Sequence, residues 1–196
     1  MGGTFDPIHF GHLVTAEEAL VQFNLDKVIF MPTGQPARKT GARVSSPEHR
    51  YLMTVIATSA NPDFDVSRME VDRPGLTYTV DTMIAMREQY GHHADLYFIT
   101  GADAVFEIAT WKDAERFEGL CRFIAATRPG YDLDAAVKEH ADVLTRLDID
   151  FIEVPALAIS STDIRQRVAE RRPIRYLVPE AVAAYIGKYG LYAGGF

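Results

Sequence analysis

The sequence predicts an α/β protein: a doubly wound, mostly parallel sheet with helices on both faces and a small helical C-terminal part. Three observations carry that prediction. Short β-rich apolar runs alternate with helical patterns along the chain. Most of those runs are continuously apolar, as strands covered on both faces are. A glycine-rich turn stands directly before the first helical pattern, where such folds bind ligands. Strands that alternate with helices imply right-handed crossovers and hence parallel pairing.

The first helical pattern, residues 11–23, sets Leu13, Val14, Ala16, Leu20 and Phe23 on one broad face and turns Glu17, Glu18 and Gln22 mostly away. KVIFM (27–31) then reads as a strand. The irregular stretch 32–46, PTGQPARKTGARVSS, is long for a loop in a compact domain, which makes it a candidate functional loop. Ser46 is placed to cap a helix over 47–60, with Pro47 at its first position. FDVSR (64–68), LYFIT (96–100), RFIAAT (122–127) and DFIEV (150–154) are the remaining strands. Helices are expected over 79–90, 132–147, 161–171 and 179–188, the last opened by Pro179. No internal repeat and no low-complexity segment interrupts this order. One expectation concerns the start. A glycine-rich turn of this kind should follow a buried strand, yet only Met1 precedes it, so the first strand is expected to be truncated by about six to eight apolar-rich residues.

A length of 196 residues fits one domain, 1–196, with the C-terminal helical part at about 161–190. The net charge of −7 argues against general adhesion to nucleic acid or anionic membrane. A bound polyanion would need a local cluster of cations and backbone N–H groups inside an acidic body. A lone cysteine, Cys121, excludes a disulfide framework within the chain and suits a reducing compartment. No apolar run approaches the ~20 residues of a membrane helix, and the start lacks a signal-peptide pattern, so a cytoplasmic location is expected.

The opening stretch MGGTFDPIHFGH is the first candidate site. Its glycines let the backbone approach a phosphate, and the helix starting near Phe10-Gly11 aims its N-terminal dipole at the same space. His9 and His12, one turn apart, share the helix face there. Neither G-x-G-x-x-G nor G-x-x-x-x-G-K-[ST] occurs, which excludes the dehydrogenase and P-loop types of cradle. Taken alone, a tight turn and a helix cap would also account for these residues. A zinc site is disfavoured, since H-x-x-H lacks a third ligand and Cys121 falls in a strand. The second candidate is ISSTDIRQR (159–167). Capping explains one hydroxyl before a helix; Ser160, Ser161 and Thr162 together, with Arg165 one turn in, suggest a second anion site. Two such helix ends point to a nucleoside triphosphate.

GGTFDPIHFGHL with its H-x-G-H core, ISSTDIR and GADAVFEIATW together resemble the nucleotidyltransferase superfamily. RPGLTYTVDTM (73–83) and Trp111 narrow the resemblance to the nicotinate-nucleotide adenylyltransferase family, from Gly2 to about residue 188. It implies a Rossmann-like fold and transfer of AMP from ATP to nicotinate mononucleotide, giving nicotinate adenine dinucleotide and pyrophosphate in NAD biosynthesis. It also implies the site residues. Gly2, Gly3, Thr4, Phe5, Gly11, Gly101, Asp103, Ser160, Ser161 and Thr162 would bind ATP. His9, His12, Lys39 and Arg165 would act on its phosphates. Arg50 and Arg128 would meet the mononucleotide phosphate. Trp111 would stack on the pyridine ring, beside Tyr78, with N–H groups of Thr79 and Lys112 receiving its carboxylate. Mg²⁺ would enter with ATP, held mainly by the phosphates, with no protein metal site. A nicotinamide-mononucleotide or pantetheine-phosphate adenylyltransferase, or a non-catalytic nucleotide sensor, are the competing readings. A homo-oligomer is compatible with the apolar LYAGGF tail.

Overall fold

The computed structural model of the protein describes residues 1–37, 44–127, 147–155 and 158–194. Its strands are β1 (Gly2–Gly3), β2 (Val28–Pro32), β3 (Gln35–Pro36), β4 (Phe64–Val66), β5 (Leu76–Thr77), β6 (Tyr97–Gly101), β7 (Arg122–Thr127) and β8 (Ile149–Glu153). Its helices are α1 (Phe10–Gln22), α2 (Pro47–Thr58), α3 (Thr79–Tyr90), α4 (Ala102–Phe106), α5 (Ser161–Ala169) and α6 (Glu180–Tyr189). Short 3₁₀ turns cover Ile108–Thr110 and Ala114–Phe117. These elements form two compact units, one of Met1–Gly2 with Thr77–Ala156 and one of Gly3–Leu76 with Leu157–Phe196.

The second of these units is discontinuous in sequence. Its parallel pair β2–β4 aligns Val28 with Phe64 and Phe30 with Val66. Against it packs α2, which buries Met53, while α1 buries Ala16, Ala19 and Leu20. α6 adds Val182 and Ile186 to this core, and α5 adds Ile164. Ser46 caps α2 by accepting from the His49 N–H at 3.3 Å, with Pro47 at the first position, as the sequence leads one to expect. Pro179 serves as N-cap of α6 rather than as its first residue.

The unit of Met1–Gly2 with Thr77–Ala156 is built on a three-stranded parallel sheet in the order β6–β7–β8, with Phe98 beside Phe123 and Ala125 beside Phe151. Val80 and Met83 of α3, Val105 and Phe106 of α4, and Phe117 pack with Phe98 and Phe123 into one cluster. Both units are thus α/β with parallel strands, the class that the continuous apolar runs indicate. α4 and the two 3₁₀ turns were not expected as elements. Each is too short to display a helical period, so only tertiary packing defines them. The expected helix over 132–147 lies, up to residue 146, outside the described residues.

Arg50 turns out to brace the fold. It is 1% exposed, and its Nε, Nη1 and Nη2 donate to the carbonyls of Ser45 (2.9 Å), Thr4 (2.9 Å) and Gly34 (2.7 Å). Burial pulls its pKa down, and the neighbouring Asp6 charge opposes that pull. One guanidinium therefore ties the opening turn, the segment after β2 and the entry to α2. Arg50→Met should fill the space but strand three carbonyls. We expect a loss of about 3 kcal/mol in unfolding free energy, read by urea denaturation with an unchanged m-value.

Candidate functional site

The opening turn and the start of α5 meet within the discontinuous unit. Arg165 Nη1 donates to the Asp6 carbonyl at 2.7 Å, and the Ser161 hydroxyl donates to the Pro7 carbonyl at 2.8 Å. Residues more than 150 positions apart are thereby joined at one place. Ser160 caps α5, accepting from the Asp163 N–H at 3.1 Å, and Thr162 accepts from Arg165 Nη2 at 3.3 Å. The three hydroxyls thus do three jobs: one caps the helix, one braces the opening turn, and one steadies the arginine. Thr162 and Ser160 are exposed; Arg165 is half-buried.

His9 is the N-cap of α1, with extended backbone at φ −149° and ψ 170°, and His12 is the third helical residue. Their rings stack at 3.7 Å with 25° between planes, so the two imidazoles do lie together at the helix end. The His9 backbone N–H donates to His12 Nδ1 at 3.2 Å. Phe5 meets the His12 ring edge-on at 5.1 Å. Gly11 is required by the same packing: a Cβ there would stand 3.0 Å from Cε1 and Nδ1 of His9. A Cβ on Gly3 would stand 2.7 Å from the Phe5 ring, and the Gly3 carbonyl accepts from both the N–H (2.9 Å) and the hydroxyl (3.1 Å) of Thr33. Phe5 itself sits at φ 50°, a left-handed conformation that costs energy for a bulky residue and clusters at functional turns.

Asp6 is the residue that sequence reasoning left without a role. It is 3% exposed, and its carboxylate accepts from the Ser45 N–H at 3.1 Å and the Tyr192 hydroxyl at 2.7 Å. Burial first, and then the Asp6 charge, push the Tyr192 phenol pKa up, so Tyr192 stays a donor. The only prior signal was Asp6-Pro7 inside the opening motif and an apolar tail that needed somewhere to pack.

In the unit built mainly from Thr77–Ala156, Gly101 ends β6 and caps α4, and a Cβ on it would meet nothing within 4 Å. Asp103 is exposed one step beyond. Gly2, grouped with this unit, is crowded by the Phe98 ring at 2.9 Å. Tyr78 is the N-cap of α3 and Thr79 its first residue, whose N–H has no acceptor within the helix. Lys112 Nζ lies 4.5 Å over the Tyr78 ring and 3.1 Å from Asp81. Trp111 is held edge-on by Phe98 (6.0 Å) and Phe117 (6.1 Å), half-buried rather than standing free, and its Nε1 has no hydrogen-bond partner among the described residues. Cys121 is buried, with its thiol pushed up to about 12 by desolvation, so it stays a neutral thiol. Lys39 and Arg128 lie outside the described residues. Among the described residues no three His, Cys, Asp or Glu side chains group as a metal site would, and no helix is long and apolar enough to cross a membrane.

The chain is a nucleotidyltransferase: it belongs to the cytidylyltransferase-like family, whose family model matches residues 1–167. More narrowly, its sequence groups with the nicotinate-nucleotide adenylyltransferases. It is 57% identical to a probable nicotinate-nucleotide adenylyltransferase of Arthrobacter sp. (strain FB24), over 99% of this chain and 90% of that protein. A protein of the same description from Streptomyces coelicolor is 55% identical, over 99% of this chain and all of its own length. Among solved structures, the Plasmodium falciparum nicotinic acid mononucleotide adenylyltransferase complexed with NaAD superposes with a TM-score of 0.80 at 20% identity, covering 99% of this chain and 96% of that one. That likeness shows the shared fold.

Two outcomes test this geometry. Tyr192→Phe keeps the ring but leaves the Asp6 carboxylate short of a donor, and should cost about 1–3 kcal/mol of stability by thermal or urea unfolding. His9 is 6% exposed, and burial lowers its pKa from 6.5 to about 4. Between those values the unfolded chain takes up a proton that the folded chain refuses, so stability falls with decreasing pH. The loss should reach about 3 kcal/mol by pH 4, and His9→Asn should remove that component of the slope.

Proposed function

We propose that this chain transfers the AMP moiety of ATP to nicotinate mononucleotide, releasing pyrophosphate and forming nicotinate adenine dinucleotide. The observation that carries the proposal is the joining of the two helix ends: Arg165 on the Asp6 carbonyl and Ser161 on the Pro7 carbonyl bring α5 to the H-x-G-H turn. The membership among nicotinate-nucleotide adenylyltransferases supports the choice of acceptor.

The chemistry asks little of the protein beyond position and charge. The attacking group is a phosphate monoester, mostly dianionic at neutral pH because its second pKa is near ~6. One of its oxygens forms the new bond to the α-phosphorus while the bond to the bridging oxygen of pyrophosphate breaks, in line with it. No general base and no covalent intermediate are needed. His12 and Arg165 stabilise the charge on the α-phosphate and the departing pyrophosphate, and Lys39 is assigned the same work from the sequence. Gly3, Thr4, Phe5 and Gly11 shape the backbone turn around the triphosphate, with Gly2, Gly101 and Asp103 assigned to the nucleotide. Ser160, Ser161 and Thr162 hold the α5 end in place.

Tyr78, Thr79, Trp111 and Lys112 are assigned to the pyridine ring and its carboxylate. Thr79, at the first position of α3, offers an N–H and the positive end of a helix dipole to that carboxylate. An amide substituent would oppose a donor with its own NH₂. With Arg50 committed to the protein's own carbonyls, the mononucleotide phosphate is left to Arg128. Mg²⁺ is assigned to enter with ATP, held mainly by its phosphates, as part of the substrate.

Pyrophosphate release with MgATP and each mononucleotide decides the proposal. We expect kcat/KM for nicotinate mononucleotide to exceed that for the nicotinamide form by about tenfold or more, the scale of one charge-assisted hydrogen bond. Equal values would remove the carboxylate contact, and turnover only with pantetheine phosphate would reassign the acceptor. Arg165→Ala should lower kcat by about 10²-fold.

A further inference from the structure

We propose that His12 works as a neutral hydrogen-bond donor, with its one ring proton fixed on Nε2, and that His9 is the positioning residue that fixes it. This rests on the proposed contact between His12 and the phosphates, and it specifies which form of the ring makes that contact.

Three features of the helix end converge on it. His9, as N-cap, turns its own backbone N–H onto Nδ1 of His12 at 3.2 Å. An amide N–H cannot accept, so Nδ1 must offer its lone pair and the proton is left to Nε2. A second proton on the ring would set two hydrogens against each other along that line. The His9 ring then lies flat on the His12 ring at 3.7 Å, and His9 is itself kept neutral by burial. The third feature is position: His12 is the third residue of α1, at the positive end of its dipole, where a cation is disfavoured.

The H-x-G-H spacing follows from this arrangement. The first histidine must be the cap, to present its N–H to a side chain three positions on. The glycine between them must lack a Cβ, which would stand 3.0 Å from the His9 ring and push it off the stack. The second histidine is then left with one predetermined nitrogen, Nε2, to carry its proton. A ring so held stabilises developing negative charge by donating a hydrogen bond and does not pass its proton to pyrophosphate. Positive charge is left to the guanidinium of Arg165 and to the ammonium assigned to Lys39.

Long-range ¹H–¹⁵N correlation spectra of the whole protein, labelled on its histidine rings at neutral pH, test the proposal without any substrate. His12→Gln identifies the signal. We expect one pyrrole-type nitrogen at Nε2 and one pyridine-type nitrogen at Nδ1. A proton on Nδ1, or protons on both nitrogens, overturns the proposal. Kinetics supply a second measurement, because glutamine places a neutral N–H donor near the position of Nε2. We expect His12→Ala to lose about 10²–10³ in kcat and His12→Gln to recover at least about tenfold of that loss. A glutamine variant no better than alanine overturns it as well. Absence of pyrophosphate release from the unaltered protein with every mononucleotide would instead sink the proposed function and leave the spectra to decide the state of the ring.

Discussion

A buried carboxylate near the beginning of the chain holds the discontinuous unit in its working form. Asp6 is taken out of water, which costs several kcal/mol unless hydrogen bonds replace the lost hydration. The replacement comes from two directions: a backbone N–H just before α2 and a tyrosine hydroxyl beyond α6. Its own carbonyl takes the arginine of α5. Every later feature of the proposed phosphate cradle assumes this turn is held still. The stacked histidines grow directly out of it, Arg165 is oriented by it, and Arg50 supports it from beneath through the Thr4 carbonyl.

The electrostatics divide along the same line. The chain is acidic overall, so attraction for a triphosphate cannot come from net charge. In the proposed function it comes from two helix N-termini and a guanidinium brought to one turn, where oriented dipoles act over short distances that salt screens poorly. His9 adds no charge, since burial keeps it neutral through the physiological range. Its contribution is shape and orientation.

Much of this was legible in the sequence, and the rest was hidden for physical reasons. The β6 and β7 strands showed themselves as continuous apolar runs, and α2 announced both its cap and its first proline. H-x-G-H and the hydroxyl cluster with Arg165 could be read as helix ends because their chemistry is local. Arg50 could not be placed, because an arginine in the first turn of a helix ordinarily faces solvent or a ligand. Its three acceptors lie in separate segments that only the fold assembles. Tyr192 was invisible for the same reason, being 186 positions from its partner. Trp111 lay between the two cases: its half-buried seat against Phe98 and Phe117 serves packing and leaves a ring available.

The split of one unit across the chain bears on its birth at the ribosome. Thr77–Ala156 is nearly complete in itself and can collapse as soon as it emerges, whereas Gly3–Leu76 must wait for the segment that begins at Leu157. Until Tyr192 has been synthesised, the carboxylate of Asp6 has no phenol to receive, and the turn that carries H-x-G-H is left half-braced. Vectorial synthesis thus delivers the H-x-G-H turn well before the tyrosine that completes its bracing.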